Sequence, residues 1–383
     1  MFQGSQPVPS DFRLTVANIL EHNWNWERYC LENKAELEDF QIEQIEKMLA
    51  CQRQDLGGKL YVCPCCKEMK WVPFTCMSRI CSYCGKVHSE EWSNAIMDRY
   101  LDVPHRHVIF TLPDELWGYV QRYPELVDVL FQAMNDTIQV LFDDRFNIYV
   151  RPGIIALIHY TGRDMKYNPH IHALVTEGGL DCNGNWRKHS YWPYKRMRDI
   201  WQEEVIKRFR EILPKDLKIK SFLDWVSNNR DGFVVKNYRD LLDIKYLGRY
   251  LSRYVRHPPI GESRILDYDG HSILIKYEWD NRLHTRRISV DEFIGSLINN
   301  IPGKNFKVVR YYGMYANTLY ESSKLAVSQL NSDPMSCSPD GLIQVPLREV
   351  PLNGPPRCDG CGALMDLVLV EFWRGVRKVV KIL

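Results

Sequence analysis

The stretch from Ile154 to Val175 constrains this chain more than any other, because two apolar runs are joined there by a short polar segment with histidines at the junctions. Ile154 to Ile158 ends at His159, and the Thr161 to Pro169 segment is short enough to connect neighbouring antiparallel strands. The second run opens on His170-Ile171-His172. Side chains alternate across a strand, so His170 and His172 project together while Ile171 points into the sheet. Two imidazoles side by side form half of a metal site, and pairing of the two runs makes His159 a candidate third ligand. Two ordinary sheet histidines have the same spacing, so the rest of the chain has to decide.

With 383 residues, 45% of them hydrophobic and 26% charged, the chain has the composition of a globular protein with room for two or three domains. A net charge of +2 hides local asymmetry, so nucleic-acid binding has to rest on patches. The N-terminus lacks a signal-peptide pattern and no run of apolar residues is long enough for a membrane span, which predicts a cytoplasmic protein. Its 12 cysteines are clustered, which favours zinc in a reducing compartment over disulfides.

Cys63-Pro-Cys-Cys66 and Cys81-Ser-Tyr-Cys84 are two Cys-x-x-Cys knuckles. Four thiolates from two tight turns make a closed tetrahedral shell, so the expectation is one structural zinc on Cys63, Cys66, Cys81 and Cys84, with Cys76 in reserve. Lys67, Lys70, Trp71 and Arg79 between the knuckles suit phosphate and base contacts, although Trp71 serves equally well as a lid on a small zinc core. Cys358-Asp-Gly-Cys361 is a lone knuckle; a second zinc there needs partners such as Cys337, His88 or surplus cysteines of the N-terminal cluster.

Residues 240–257 have helical spacing and stop at Pro258-Pro259. Leu247, Leu251 and Val255 form one stripe, and Tyr246, Tyr250 and Tyr254 form an adjacent one bordered by Lys245, Arg249, Arg253 and Arg256. An aromatic stripe packed at a domain boundary would have the same spacing. Beside a histidine pair, however, tyrosines and arginines make up the equipment for breaking a DNA phosphodiester through a covalent intermediate.

These stretches together resemble the HUH endonuclease superfamily, and within it the two-tyrosine rolling-circle transposases of bacterial and archaeal insertion sequences. The likeness covers nearly the whole chain. It rests on Cys76-Met-Ser-Arg-Ile-Cys-Ser-Tyr-Cys84, His107-Val-Ile-Phe-Thr-Leu-Pro113, Asn168-Pro-His-Ile-His-Ala-Leu-Val175, Tyr250-Leu-Ser-Arg-Tyr-Val-Arg-His-Pro-Pro-Ile260 with Glu262-Ser-Arg264, and Phe306-Lys-Val-Val-Arg-Tyr-Tyr-Gly313. The resemblance implies an α+β fold: an antiparallel-sheet HUH endonuclease domain with helices, an N-terminal zinc-binding domain and a small C-terminal domain. Its implied boundaries are a helical region at 1–60, zinc binding at 61–95, the HUH domain at 96–300 with a helical insertion at about 185–240, and a C-terminal domain at 301–383.

In such enzymes the nucleophilic tyrosines lie four apart just before the Pro-Pro-Ile segment, which picks Tyr250 and Tyr254; Tyr246 is a departure in the same register. Mg2+ or Mn2+ is implied on His170 and His172, with His159 as third ligand in a role that varies across the superfamily. The implied reaction nicks single-stranded or hairpin DNA at transposon ends, leaves a 5′-phosphotyrosine and a free 3′-OH, and passes strands to the second tyrosine. Arg249, Arg253, Arg256, Lys307 and Arg310 are the candidate DNA contacts, and a host helicase is a candidate partner. The implied setting is a prokaryotic cytoplasm, with the enzyme on the nucleoid when bound to DNA. A rolling-circle replication initiator with the same chemistry is the nearest alternative, and a non-catalytic zinc-ribbon DNA-binding regulator is the alternative of a different class.

Overall fold

The computed structural model of the protein describes residues 8–229, 232–238, 258–331, 355–374 and 377–382. It opens with three helices, α1 (Val16–Glu21), α2 (Asn25–Glu32) and α3 (Asp39–Leu49). The Thr15 hydroxyl caps α1 by accepting from the Asn18 N–H at 3.1 Å, and Glu38 with Gln41 forms a capping box on α3. A hairpin of β1 (Gly58–Val62) and β2 (Met69–Pro73) follows, then α4 (Ser82–Met97).

β3 (His105–Thr111) leads into α5 (Trp117–Arg122) and α6 (Leu126–Phe146). The two histidine-bearing runs are β4 (Val150–Thr161) and β5 (Tyr167–Asp181), paired antiparallel with His159 opposite His170. β6 (Trp186–Lys188) folds back on β5, and α7 (Tyr194–Ile212) and α8 (Leu217–Asn228) precede β7 (Val235–Tyr238). The expected helical insertion is therefore α7 and α8, while the strands at its margins belong to the sheet.

β8 (Ile265–Tyr268), β9 (Ser272–Trp279) and β10 (Arg282–Ser289) form a small meander. Asp280 and Asn281 join β9 to β10 with φ of 51° and 55°, the left-handed pair that a two-residue hairpin loop demands. The Ser289 hydroxyl then caps the helix Val290–Ile298. β11 (Val309–Gly313), the helix Tyr320–Asn331, β12 (Asp366–Arg374) and β13 (Arg377–Ile382) complete the described chain.

Among the described residues all strand pairs are antiparallel, in three sheets: β11-β4-β5-β3-β7 with β6 on β5, β10-β9-β8, and β13-β12-β1-β2. Together with the helices this is the α+β architecture expected from sequence. One face of the large sheet, with Val108, Phe110, Ile154, Ala156, Ile158, Ile171 and Ala173, packs on the helices α6, α7 and α8. Its other face, with Ile155, Leu157 and Leu174, packs on Ile96, Tyr315, Tyr320 and Val327. Central strands covered on both faces read as unbroken apolar runs, which is why Ile154 to Ile158 shows no alternation.

The 301–383 stretch does not stand apart as a C-terminal domain. β11 is an edge strand of the histidine sheet, paired with β4 from Val309↔Leu157 to Gly313↔Gly153. β12 pairs with β1, so the end of the chain completes the sheet that the zinc-binding segment begins. Gly313 closes β11 with φ of +58°, and a Cβ there would lie 1.8 Å from the Pro152 carbonyl oxygen, so only glycine fits.

Candidate metal centres and the family of the chain

Strand alternation and the His159↔His170 register put three imidazoles on one face at one end of the large sheet. Ring centroids lie 5.1 Å apart for His159 and His170 and 4.9 Å apart for His170 and His172. One nitrogen from each of the three rings falls within 4.8 Å of the others. Ile171, between them in sequence, is buried on the opposite face, as expected.

The tautomer of His170 is fixed by its neighbour. Its Nδ1 lies 2.7 Å from the Asn168 carbonyl oxygen, which can only accept, so Nδ1 carries the proton and the Nε2 lone pair is left for a ligand. His172 Nδ1 is 3.0 Å from Nε2 of His107, and the two rings stack with an interplanar angle of 5°. A proton on Nδ1 of His172, donated to His107, presents Nε2 to the cluster in the same way. Burial pushes the pKa of His170 down, and burial together with the neighbouring His170, His107 and His159 pushes that of His172 well down. Burial and His170 bring His107 to about 4. Neutral imidazole is the form that binds metal, so the donors fit a cation.

His107 was not assigned a site role from sequence. It reaches His172 from a different strand, and only the β3–β5 register, with His107↔Leu174 and Ile109↔His172, brings the rings together.

Eight of the described cysteines fall into two clusters, and neither is the expected quartet. Cys63 and Cys66 meet Cys358 and Cys361, whereas Cys81 and Cys84 meet Cys51 and Cys76. The reason is the β1–β2 hairpin: Cys63 and Cys66 sit at its turn, beyond the Val62↔Met69 pair, while Cys76 to Cys84 follow its open end at Gly58↔Pro73. The strand between them sets the knuckles roughly 15 Å apart at about 3.4 Å per residue. Cys76, held in reserve from sequence, is a member of its cluster; Cys51 had no knuckle partner to mark it.

Both clusters have the dimensions of a tetrahedral thiolate site. Zinc–sulfur bonds of about 2.3 Å put the sulfurs about 3.8 Å apart. Cys51–Cys84, Cys76–Cys84 and Cys51–Cys81 sulfurs are 3.6, 3.5 and 3.7 Å apart. In the other cluster Cys66–Cys358, Cys63–Cys361 and Cys66–Cys361 are 3.3, 3.5 and 3.8 Å apart. Cys81 is the N-cap of α4 and Cys84 lies in its first turn, where the helix dipole favours thiolate. The Cys66 backbone N–H brings Cys63 down to about 6, but Glu68 pushes Cys358 up to about 11, a proton that zinc would have to displace.

The predicted DNA contacts separate. Arg310 is ion-paired with Asp128 and lies 4.2 Å from the Phe131 ring centroid, so it ties β11 to α6. Lys307 is exposed. Lys70 pairs with both Asp359 oxygens at 2.9 Å, and Arg79 reaches the Ile158 carbonyl at 3.5 Å, next to His159. Trp71 lies against Gly58 across the hairpin. Tyr246, Tyr250, Tyr254, Arg249, Arg253 and Arg256 lie outside the described residues, as does Cys337.

Comparison with known proteins fits this division. The family described as “Putative transposase” matches residues 153–323, from β4 through the start of the helix after β11, and the “Transposase zinc-binding domain” matches residues 21–112. The chain is similar to the transposase for insertion sequence element IS801 of Pseudomonas savastanoi pv. phaseolicola, 29% identical over 91% of this chain and 88% of the relative. It is also similar to the putative transposase y4qJ of Sinorhizobium fredii (strain NBRC 101917 / NGR234), 23% identical over 72% of this chain and 74% of the relative. No solved structure matches the chain. Among the described residues no helix is long and apolar enough to cross a membrane. The chain thus carries a zinc-binding and a transposase domain of the kind found in insertion-sequence transposases, and is similar to the IS801 enzyme over most of both lengths.

Proposed function

We propose that the protein is a two-tyrosine HUH transposase, which nicks single-stranded or hairpin DNA at the ends of its element and transfers strands by a rolling-circle route. What supports this most is the convergence of His159, His170 and His172, with the Nε2 lone pair of His170 left for a ligand, inside the segment matched by the transposase family. A divalent cation, when bound, supplies Lewis-acid polarisation of the scissile phosphate. Three imidazoles without a carboxylate favour Mn2+ over Mg2+ there. Tyr250 or Tyr254 attacks phosphorus, the 3′ oxygen leaves as a free 3′-OH, and the 5′ phosphate stays on the phenol. The phosphotyrosine conserves the energy of the broken phosphodiester, so no nucleotide is consumed, and the second tyrosine allows a further strand to be exchanged.

Tyrosine has an ordinary pKa near 10 and is a weak nucleophile at neutral pH, which gives Arg249, Arg253 and Arg256 the task of favouring phenolate and gripping phosphate. Lys307, exposed just before β11, joins them in gripping DNA. The Cys51, Cys76, Cys81 and Cys84 cluster, inside the matched zinc-binding domain, holds a structural Zn2+. The enzyme works in a prokaryotic cytoplasm on strands that a host helicase exposes.

Incubation with labelled single-stranded end DNA and Mn2+, followed by denaturing electrophoresis, tests the proposal. A protein–DNA adduct is expected that is lost in Tyr250→Phe/Tyr254→Phe and in His170→Ala. An adduct that survives the first variant and vanishes with Tyr246→Phe moves the nucleophiles one turn earlier. Absence of any adduct on end sequences contradicts nuclease chemistry and favours a non-catalytic regulator.

A further inference from the structure

We propose that Cys63, Cys66, Cys358 and Cys361 bind a second structural Zn2+ in a split zinc ribbon, which clasps the end of the chain to its N-terminal hairpin. The zinc-binding family match stops at residue 112, so it takes in the first knuckle but not its partner almost three hundred residues later. The proposal rests on the cysteine geometry alone and stands whether or not the nuclease chemistry holds.

The two knuckles are copies of one turn. The Cys63 N–H donates to the Glu68 carbonyl and the Lys67 N–H donates back to the Cys63 carbonyl, at 2.8 and 3.1 Å. In the second knuckle the Cys358 N–H donates to the Ala363 carbonyl and the Gly362 N–H to the Cys358 carbonyl, at 2.8 and 2.9 Å. Lys67 and Gly362, in equivalent places, both turn left-handed, with φ of 60° and 75°. The residue before each knuckle pairs with the residue seven further on, Val62 with Met69 and Arg357 with Leu364. A left-handed lysine is a strained choice, and its recurrence at the glycine position of a twin turn indicates that both turns serve one geometry.

That geometry is the aiming of two sulfurs from each turn at a common point. The cross-knuckle sulfur distances of 3.3 to 3.8 Å are far too long for disulfides at about 2.05 Å and suit a tetrahedral zinc. Apart from the β1–β12 ladder, little else holds the two ends together. The core beneath is small, with Tyr61, Cys63, Cys358 and Met365 buried and Val72, Ala363 and Leu367 packed against them. At the rim Lys70 pairs with Asp359, and Glu68 accepts from the Gly360 N–H at 3.2 Å. Small ribbons of this kind depend on their metal for folding.

Zinc analysis of the purified full-length protein is expected to give about two ions per chain, and about one in Cys358→Ser/Cys361→Ser. Differential alkylation followed by peptide mass analysis gives a second readout on the wild-type protein, so it does not depend on the variant folding. Cys65 is exposed and belongs to neither cluster, whereas Cys66 and Cys361 are equally exposed but are proposed ligands. Exposure alone would label all three alike. The clasp predicts fast labelling of Cys65, protection of Cys66 and Cys361, and loss of that protection when a chelator strips the zinc. One zinc per chain with Cys66, Cys361 and Cys65 labelled at similar rates would overturn it, as would a Cys66–Cys358 or Cys63–Cys361 disulfide in the zinc-loaded protein.

Discussion

His105 and His107 sit two residues apart on β3 and face the same side of the sheet, yet their neighbours give them different work. His107 braces the candidate ligand His172, whereas His105 is a structural link whose Nδ1–H donates to the Val103 carbonyl at 2.7 Å. Its Nε2 therefore accepts from the Tyr315 hydroxyl at 2.8 Å, and that hydroxyl accepts from the Leu101 N–H at 3.1 Å. A second proton on His105 would break the link to Tyr315, and burial brings its pKa down to about 4. The unfolded chain, with an ordinary value near 6.5, binds more protons between those limits. Stability from this group is thus complete above about pH 6.5 and is lost as pH falls toward 4. Urea denaturation is expected to show that His105→Asn removes about 2 kcal/mol of the stability lost between about pH 7 and pH 5. An unchanged pH dependence would mean that the ring titrates alike in the folded and unfolded chain, so that burial does not depress it. His170 and His172 were legible in the sequence because alternation on one strand suffices to pair them. The stacking of His107 on His172 and the place of Cys51 in its cluster were not, because each depends on a partner brought in by tertiary pairing.

At the scale of elements, the β4–β5 hairpin does most to hold the histidines in place. Its turn is plugged into the second core: Met165, at φ of +67°, is buried among residues of β8–β10, the helix Val290–Ile298 and the N-terminal helices. The Ser296 hydroxyl donates to the Met165 carbonyl at 2.9 Å, Asn300 donates to Thr161, and Arg286 donates to the Asp164 carbonyl at 2.8 Å. His159 and His170 lie at the foot of this plug, so the second core sets their separation. Met165→Ala is expected to cost about 3 kcal/mol, as truncation of a buried core side chain does. Hydrogen exchange should then speed up across 159–170 and leave β1–β2 unchanged; uniform protection across both would show that the hairpin holds itself. The hairpin was legible from its two apolar runs and short polar link. The plug was not, because a methionine in a polar turn announces nothing until another domain covers it.

The whole molecule links its metal centres through its packing. The Cys51, Cys76, Cys81 and Cys84 cluster shares the second core with Met165, and Arg79 from the same loop meets β4 beside His159. Zinc binding and the histidine site are therefore two ends of one packed unit. At this scale the sequence misleads most. The resemblance implies a separate domain at 301–383, but β11 and β12 are strands of sheets begun more than a hundred residues earlier. Local pattern carries no record of such closures. The described flanks of the tyrosine segment are β7, which lies beside β3 in the histidine sheet, and Ile260, which is buried in the second core. Both ends of that segment thus start from the elements that hold the histidines, which is what a nucleophile working at that cluster requires. The central claim is that a phenol of this segment takes the 5′ phosphate, and proteolysis of the adduct formed with end DNA and Mn2+, followed by mass analysis of the DNA-bearing peptide, tests it most directly. The account predicts a phosphonucleotide on Tyr250 or Tyr254; its attachment to a residue outside 240–257 would contradict it.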